Sequence, residues 1–236
     1  MIDLNADIGE GCDDASLMPY LHRVSIASGG HAGDAASMAA ALRLAAEFGV
    51  MVGAHPGYPD RAGFGRRSVS ASAEQVYSWV RQQTEVLAEQ SVRCGLQLVH
   101  VKPHGALYND AAGNAELAQA IAEAVAGHDP RLVLIGLADS CLISAGQAAG
   151  LGVLNEAFAD RRYHGNGLLV SRETAGALIT DPLAAAEQAL ALALGLPVST
   201  FGDEPARVRA DTICLHSDTP NALKLAEAVH AALNRR

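Results

Sequence analysis

The sequence predicts an α/β fold in which seven parallel strands alternate with helices and close into a (β/α) barrel. Three observations indicate this fold. Short apolar runs of strand length recur along the chain, Ala-rich stretches with helical periodicity separate them, and the runs lack polar alternation. Buried runs of this kind between helices are typical of a parallel sheet covered on both faces. An open doubly wound sheet is the alternative interpretation.

The strands and helices are predicted from these two kinds of segment in chain order. The strands are predicted at 2–6, 23–28, 50–54, 96–101, 131–136, 151–158 and 211–216. The helices are predicted at about 34–48, 73–93, 114–126, 139–149, 182–194 and 219–234. The longest irregular stretches, at 159–180 and 197–210, are predicted to be loops. No internal repeat or linker divides the chain, which predicts one domain over residues 1–236.

Start and stop signals support several of these helices. Ser72 and Gln75 are spaced as a capping box at the start of the second predicted helix. The other signals are cap–proline pairs at helix starts and glycines at helix ends, namely Asp181-Pro182, Thr219-Pro220, Gly49, Gly95 and Gly195. These signals fix the expected ends of the helices.

The composition limits the classes of function. The chain has 236 residues, 50% hydrophobic and 18% charged, with a net charge of −9 and a pI near 5.4. An acidic chain without basic blocks is a poor partner for nucleic acid or an anionic membrane. No signal peptide is visible, and no apolar run approaches the ~18 residues of a membrane span. Four cysteines without CxxC spacing are expected to be reduced thiols, so we expect a soluble, cytoplasmic protein.

Polar side chains follow six of the seven predicted strands, always at the C-terminal end. The candidate site residues among them are Asp7, Glu10, His31, His55, Asp60, Arg66, Lys102, His104, Asn109, Asp160, Arg161 and His216. In parallel α/β folds the C-terminal ends of the strands meet at one edge, where active sites assemble. The sequence therefore predicts a site at this edge.

Four of these residues are the predicted catalytic group: Asp7, His55, Lys102 and His104. The structural alternative is an ion-pair network inside the mouth of the barrel. Burying such groups without compensation costs on the order of several kcal/mol, which favours the catalytic interpretation. The remaining eight candidates are predicted to bind substrate.

Motifs for other chemistry are absent from the sequence. It contains no GxxxxGK[ST] phosphate loop and no GxGxxG after a strand, so no nucleotide site is expected on this chain. It also lacks the GxSxG motif of serine hydrolases and the HExxH motif of zinc peptidases.

Six regions carry a resemblance to a known family. They read DLNADIGEG, SIASGGHAGD, GAHPGYPDRAGFGRR, HVKPHGALYN, EAFADRRY with GLLVSR, and ICLHSDTP. In this order they resemble the LamB/YcsF family, whose members are the A subunit of bacterial 5-oxoprolinase. Ser28 and Ser217 stand where the family usually has Cys and Gly. Any role that needs a thiol at residue 28 is therefore lost.

The resemblance implies a fold, a reaction and partners. The fold is a seven-stranded (β/α) barrel related to glycoside hydrolases and polysaccharide deacetylases. The reaction is the ATP-dependent opening of 5-oxo-L-proline to L-glutamate, carried out with subunits B and C. Because this chain lacks a nucleotide motif, ATP is expected to bind to the partner subunits. A homo-oligomer is compatible with the sequence.

Hydrolysis of a lactam suggests roles for individual residues. A base is needed for water, which we assign to Asp7 supported by His55 or His104. A cation is needed for the oxyanion or a phosphate, which we assign to Lys102. The substrate carboxylate needs a guanidinium group, and Arg66 or Arg161 is expected to supply it.

A divalent metal is a second hypothesis for the same residues. Asp7, His55 and His104 form an Asp/His/His set like that of the related deacetylases, and such a set suits a divalent ion with open positions for water. Lys102 argues against it, because an ammonium group repels a cation. Two rival functions are a free-standing metal-dependent deacetylase or amidohydrolase, and a non-catalytic regulatory subunit.

Overall fold

The computed structural model describes residues 2–202 and 204–234, and within them seven parallel strands form a closed barrel. Each strand pairs with the next one in the chain, and the last pairs with the first. The strands are β1 Asp3–Ile8, β2 Arg23–Ala27, β3 Met51–His55, β4 Leu98–Val101, β5 Val133–Leu137, β6 Gly152–Phe158 and β7 Thr212–His216. The predicted barrel is confirmed, and the open sheet is excluded.

Eight α-helices surround the barrel in the described part of the chain. They are α1 Asp14–Leu17, α2 Ala35–Phe48, α3 Ala73–Arg93, α4 Gly105–Gly113, α5 Ala115–His128, α6 Cys141–Ala148, α7 Pro182–Ala193 and α8 Ala222–Asn234. A 3₁₀ turn at Met18–Tyr20 follows α1. Six of the helices were predicted. Of the other two, α1 has only four residues and shows no helical period, and α4 begins without a side-chain cap, so no start signal marks it. None of the described helices is long and apolar enough to cross a membrane.

The predicted helix caps are confirmed with one exception. Ser72 and Gln75 form the capping box of α3, and Asp181 caps α7. The pair Thr219-Pro220 was wrongly predicted to start a helix, since α8 begins at Ala222. The Thr219 hydroxyl is buried and donates to the Asp160 carboxylate. Its side chain therefore holds Asp160 at the mouth of the barrel instead of capping a helix.

Side chains of β1 alternate between the two faces of the barrel wall. Successive residues of a strand point to opposite sides. Leu4, Ala6 and Ile8 are fully buried members of the apolar core. Asn5 and Asp7, which alternate with them, instead contact polar groups of other strands inside the barrel.

A buried histidine of β4 occupies the barrel interior. The His100 Nε2 atom lies 3.2 Å from the Ser25 hydroxyl of β2. A Cβ atom on Gly53 would lie only 2.3 Å from the His100 ring, so a glycine is required in β3 at this level. The interior below the mouth is thus closed by side chains, as in other barrels of this size.

Two stretches without regular helices or strands lie at the ends of the barrel. Residues 159–180, and the described part of 197–210, contain only isolated β-bridges. Both were predicted to be loops; residue 203 lies outside the described residues. The first stretch follows β6 at the C-terminal edge and contributes one side of the site.

Candidate functional site

A cavity of about 450 Å³ opens at the C-terminal edge of the barrel. Nine of the twelve predicted site residues line it, namely Asp7, Glu10, His55, Arg66, Lys102, His104, Asn109, Arg161 and His216. The other three, His31, Asp60 and Asp160, lie outside its lining. The polar residues that follow the strands therefore gather at the C-terminal edge of the barrel, as predicted.

The loop after β4 places two of these side chains by continuing the strand pairing. The Lys102 amide donates to the Ala54 carbonyl at 2.9 Å, and the His104 amide donates to the Pro56 carbonyl at 2.8 Å. The backbone of this loop is therefore held against the loop after β3. Lys102 and His104 are both buried, and both face the cavity.

Lys102 is the buried cation at the floor of the cavity. Its side chain is 2% exposed, and Nζ lies 2.7 Å from Asp7 Oδ1 and 2.9 Å from Glu156 Oε1. It also donates to Asn5 Oδ1 at 3.2 Å and to Cys214 Sγ at 3.3 Å. Burial alone would lower the pKa of Lys102, but the charges of Asp7, Cys214 and Glu156 together outweigh it and hold the pKa well above its usual value. The ammonium group is therefore charged.

Asp7 connects Lys102 to the histidines. Its Oδ1 atom pairs with Lys102, and its Oδ2 atom lies 3.3 Å from His55 Nε2. The Ser217 hydroxyl donates to the Asp7 carbonyl at 3.0 Å and fixes the end of β1. Burial acts to raise the pKa of Asp7, but the charges of His55 and Lys102 outweigh it and hold the pKa well below its usual value.

Glu10 lies at the centre of a group of three histidines, which together with it we call the histidine wall. Its Oε1 atom is 2.7 Å from His31 Nε2, 3.2 Å from His104 Nδ1 and 3.7 Å from His55 Nε2. His104 Nδ1 and His55 Nε2 are 3.0 Å apart. The His31 and His104 rings stack with their centroids 3.5 Å apart. Three imidazoles thus converge on one carboxylate oxygen.

A glycine-rich loop makes this close packing of rings possible. Gly65 has a φ of +61°, and a Cβ atom there would lie 2.7 Å from His31 Cβ and 3.0 Å from the His104 ring. A side chain at this position would therefore displace the stacked rings. The glycines of the GAHPGYPDRAGFG segment allow the backbone to cover the histidine wall.

Backbone carbonyls determine which nitrogen of two rings carries a proton. His55 Nδ1 lies 2.7 Å from the Lys102 carbonyl, and His104 Nε2 lies 2.9 Å from the Phe64 carbonyl. A carbonyl only accepts, so both of these nitrogens are assigned as donors. In the neutral rings, His55 Nε2 and His104 Nδ1 then face each other and Glu10 with their lone pairs.

Burial and charge act against each other on the pKa values of the histidine wall. Burial would raise the pKa of Glu10, but hydrogen bonding with His31 and with the protonated form of His104, together with the charges of His104 and His55, holds it well below its usual value. Burial lowers the pKa of His31 to about 4 and also lowers that of His104. Burial acts downward on the pKa of His55 too, but the charge and hydrogen bond of Asp7 together with the charge of Glu10 outweigh it and raise the pKa. His55 is therefore the ring that holds a second proton most readily.

Three arginines also line the cavity, and we call them the arginine wall: Arg66, Arg161 and Arg172. Arg172 Nη1 donates to both oxygens of Asp218 at 3.1 Å, and Arg66 pairs with the same carboxylate. Arg161 Nη2 donates to the Val170 carbonyl at 2.6 Å. Burial, followed by the charge of Arg172, lowers the pKa of Arg161 to about 10.

The arginine wall has hydrogen-bond donors that are not used within the described part of the protein. Among the described residues, Arg161 Nε and Arg172 Nη2 are buried and have no hydrogen-bond acceptor. Both side chains line the cavity. Guanidinium groups with free donors are suited to a carboxylate or phosphate group. The arrangement therefore favours an anionic part of a ligand on this side.

Asp60 and Asp160, which the sequence predicted to bind substrate, instead hold other residues in place. Asp60 accepts a hydrogen bond from the Gly63 amide at 2.8 Å, within the loop after β3. Asp160 is fully buried, and its carboxylate lies 3.0 Å from His216 Nδ1 and accepts from Thr219 at 2.6 Å. Asp160 therefore orients His216, which does line the cavity.

Several cavity residues had no role assigned from the sequence. Glu156 and Tyr108 line the cavity near Lys102, and Arg172 completes the arginine wall. Glu156 lies near the C-terminal end of β6, as Asp7 does in β1, and Arg172 lies in the GLLVSR segment. The sequence thus contained signals for Glu156 and Arg172. Their roles could not be assigned, because the residues that pair with them lie far away in the chain.

Two groups of side chains have the atoms to hold a cation. In each group the candidate ligand atoms lie within 4.8 Å of one another; the groups are Glu10, His31, His55 and His104, and Asp7, Cys214 and His216. The set predicted from the sequence shares His55 and His104 with the first group, where the carboxylate is Glu10. These clusters are compatible with a divalent metal.

Comparisons with known proteins agree over the whole chain. The LamB/YcsF family model matches residues 2–236. A relative from Chloroflexus aggregans, named as the A subunit of 5-oxoprolinase, is 46% identical over 98% of this chain and 94% of its own. One of the same name from Geobacillus thermodenitrificans is 45% identical over 98% and 93%. A crystal structure of the lactam utilization protein from Thermus thermophilus is 42% identical over 99% and 96%, with a TM-score of 0.92. The chain therefore belongs to the LamB/YcsF family.

Proposed function

We propose that this chain is the A subunit of an ATP-dependent 5-oxoprolinase, which opens 5-oxo-L-proline to L-glutamate together with subunits B and C. The names of the two relatives support the activity, and a name that designates one subunit implies that others exist. The name of the Thermus thermophilus protein supports a lactam as substrate. ATP binds to the partner subunits in this proposal, because this sequence has no nucleotide motif.

The observation that carries the proposal is a buried ammonium group in a cavity that a cluster of guanidinium groups also lines. 5-Oxoproline is a small ring with one carboxylate and one lactam carbonyl. The spare donors of Arg161 and Arg172 suit the carboxylate, and Lys102 suits the carbonyl oxygen. A cavity of about 450 Å³ has room for a ligand of this size.

The residues around the carbonyl carbon then have distinct tasks. A lactam is a stable amide, and phosphorylation of its oxygen by the partner subunits makes the carbon electrophilic enough for water to add. Asp7 takes the proton from that water, with His55 and His104 holding it in place, and returns it to the ring nitrogen as the C–N bond breaks. This step leaves an acyl phosphate, which a second water hydrolyses to L-glutamate and phosphate. Lys102 stabilises the oxyanion or the departing phosphate.

The test is an assay of glutamate release from 5-oxoproline and ATP. The chain alone, subunits B and C alone, and the mixture are compared under the same conditions. We expect activity in the mixture only, because the proposal places ATP chemistry on the partners and the lactam site on this chain. Release by the chain alone without ATP would point to a free-standing amidohydrolase. Full activity of the partners alone would make this chain a regulatory component.

A further inference from the structure

The charges at the floor of the cavity do not balance within the protein. Lys102 provides one positive charge, while Asp7, Glu10 and Glu156 provide three negative charges. Among the described residues, no arginine forms an ion pair with any of these three carboxylates. With neutral imidazoles the group carries two net negative charges, and a buried uncompensated charge costs several kcal/mol. Either protons on the rings or a bound cation must supply the balance.

The geometry at the histidine wall matches the spacing of metal ligands. His55 Nε2, His104 Nδ1 and Glu10 Oε1 are separated by 3.0, 3.2 and 3.7 Å. Ligands about 2.0–2.1 Å from a tetrahedral Zn²⁺ lie about 3.3 Å from one another. The three atoms therefore surround a point at which one ion can contact all of them.

The neighbours of these three atoms orient them as the outer partners of metal ligands do. The far nitrogens of His55 and His104 both donate to backbone carbonyls, at 2.7 and 2.9 Å. His31 Nε2 lies 2.7 Å from Glu10 and is its donor, since His31 Nδ1 is buried with no partner among the described residues. A hydrogen-bond partner behind each ligand, an acceptor for the two rings and a donor for Glu10, fixes its orientation and leaves the lone pairs directed inward.

We propose that Glu10, His55 and His104 bind one divalent transition-metal ion such as Zn²⁺, leaving an open coordination position toward the cavity. The carboxylate of the site is Glu10, and Asp7 stays beside the ion as the partner of Lys102. His31 is a positioning residue that holds Glu10. The inference refines the proposed function and rests on it, because the ion would lie where water meets the substrate and would make that water more acidic.

The experiment measures Zn²⁺ binding to the chain alone, so it is independent of ATP and of glutamate release. Untagged protein is stripped with a chelator and dialysed, and Zn²⁺ is followed by calorimetry and elemental analysis. We expect about one equivalent to bind. Replacing an outer partner typically weakens binding 10–100-fold, which is the expectation for His31→Ala. Ligand variants His104→Ala and Glu10→Gln should lose more than that, and the control His128→Ala should bind normally.

A spectroscopic measurement separates this site from adventitious binding. Co²⁺ in the wild-type site should show the visible absorption of a four-coordinate ion, and Glu10→Gln should change that spectrum. Circular dichroism of the metal-free variants checks that they are folded; if His104→Ala is not, the nearly isosteric Glu10→Gln decides. Less than a tenth of an equivalent of Zn²⁺ on the wild type, or unchanged affinity in the folded ligand variants, would overturn the proposal. In that case protons on the imidazoles balance the carboxylates.

Discussion

The two walls of the cavity are built differently and carry opposite charge. The residues of the histidine wall end or follow strands β1 to β4 in the chain, and the one carboxylate of this wall is surrounded by imidazoles. The arginine wall comes from the loops after β3 and β6, and its guanidinium groups share Asp218 and keep free donors. An anionic group is expected at the arginine wall and a cation at the histidine wall. We expect this difference in charge to orient a substrate that has one charged end.

Lys102 lies at the floor of the cavity that these walls enclose. It pairs with Asp7, which faces the histidine wall, and with Glu156 at the end of β6. Each carboxylate is buried, so the ammonium group cannot be removed without leaving charge unpaired. The same contacts that stabilise the mouth of the barrel therefore hold a cation at the floor of the cavity, where the proposed function places the lactam carbonyl.

The largest effect is expected at the histidine side of this arrangement, from Asp7→Asn. Loss of a general base lowers turnover by roughly 10²–10⁴-fold, which we expect in kcat of the enzyme assembled with its partners. Asp3→Asn is the matched control, because Asp3 lies on the same strand at the opposite end of the barrel and pairs with Arg23. Equal activity of the two variants would remove Asp7 from the chemistry.

A smaller effect is expected at the arginine wall, from Arg172→Met. A charge-assisted hydrogen bond to the substrate contributes about 1.5–3 kcal/mol, so the KM for 5-oxoproline should rise roughly 10–100-fold with a smaller change in kcat. Arg131→Met is the control, because the Arg131 side chain is 84% exposed and pairs only locally with Asp129. A fall in kcat at constant KM would assign Arg172 to the chemistry instead of to binding.

The smallest effect concerns the support behind His216. Burial acts to raise the pKa of Asp160, but the charge of His216 and the hydrogen bonds from His216 and Thr219 outweigh it and hold it at about 2, against an ordinary value of 3.8. Such a shift contributes about 2 kcal/mol to stability above roughly pH 4, and the contribution is lost as the pH falls through 2. Asp160→Asn should therefore be destabilised at neutral pH.

Urea denaturation at several pH values measures this contribution. The difference between wild type and Asp160→Asn should shrink as the pH falls from 4 toward 2. The exposed Asp139→Asn is the control and should match the wild type throughout. A difference that stays constant over this range would mean that packing, rather than the carboxylate charge, is what Asp160 provides.

The histidine side of the site could be predicted from the sequence far better than the arginine side. Asp7, His55 and Lys102 end strands or follow them directly, so the strand pattern alone places them at one edge. Buried parallel strands leave an apolar run that is easy to recognise, which is why all seven strands were predicted. Local patterns sufficed for the seven strands and for six of the eight described helices.

The arginine side depends on contacts that no local pattern describes. Arg172 lies in a loop without periodicity and pairs with Asp218, 46 residues away. The sequence likewise could not rank Asp7 and Glu10 as partners of the histidines. Gly9, with a φ of +75°, turns the chain after β1 and brings Glu10 to the rings.

The measurement that tests the central claim most directly is glutamate release by the assembled enzyme carrying Lys102→Met. Its control is Lys224→Met, the other lysine of the chain, which is exposed on α8. The account predicts a loss of turnover on the order of 100-fold or more for Lys102→Met, with circular dichroism showing a folded barrel, and normal turnover for the control. Near-normal turnover by a folded Lys102→Met enzyme would contradict the claim that the buried ammonium group acts on the substrate.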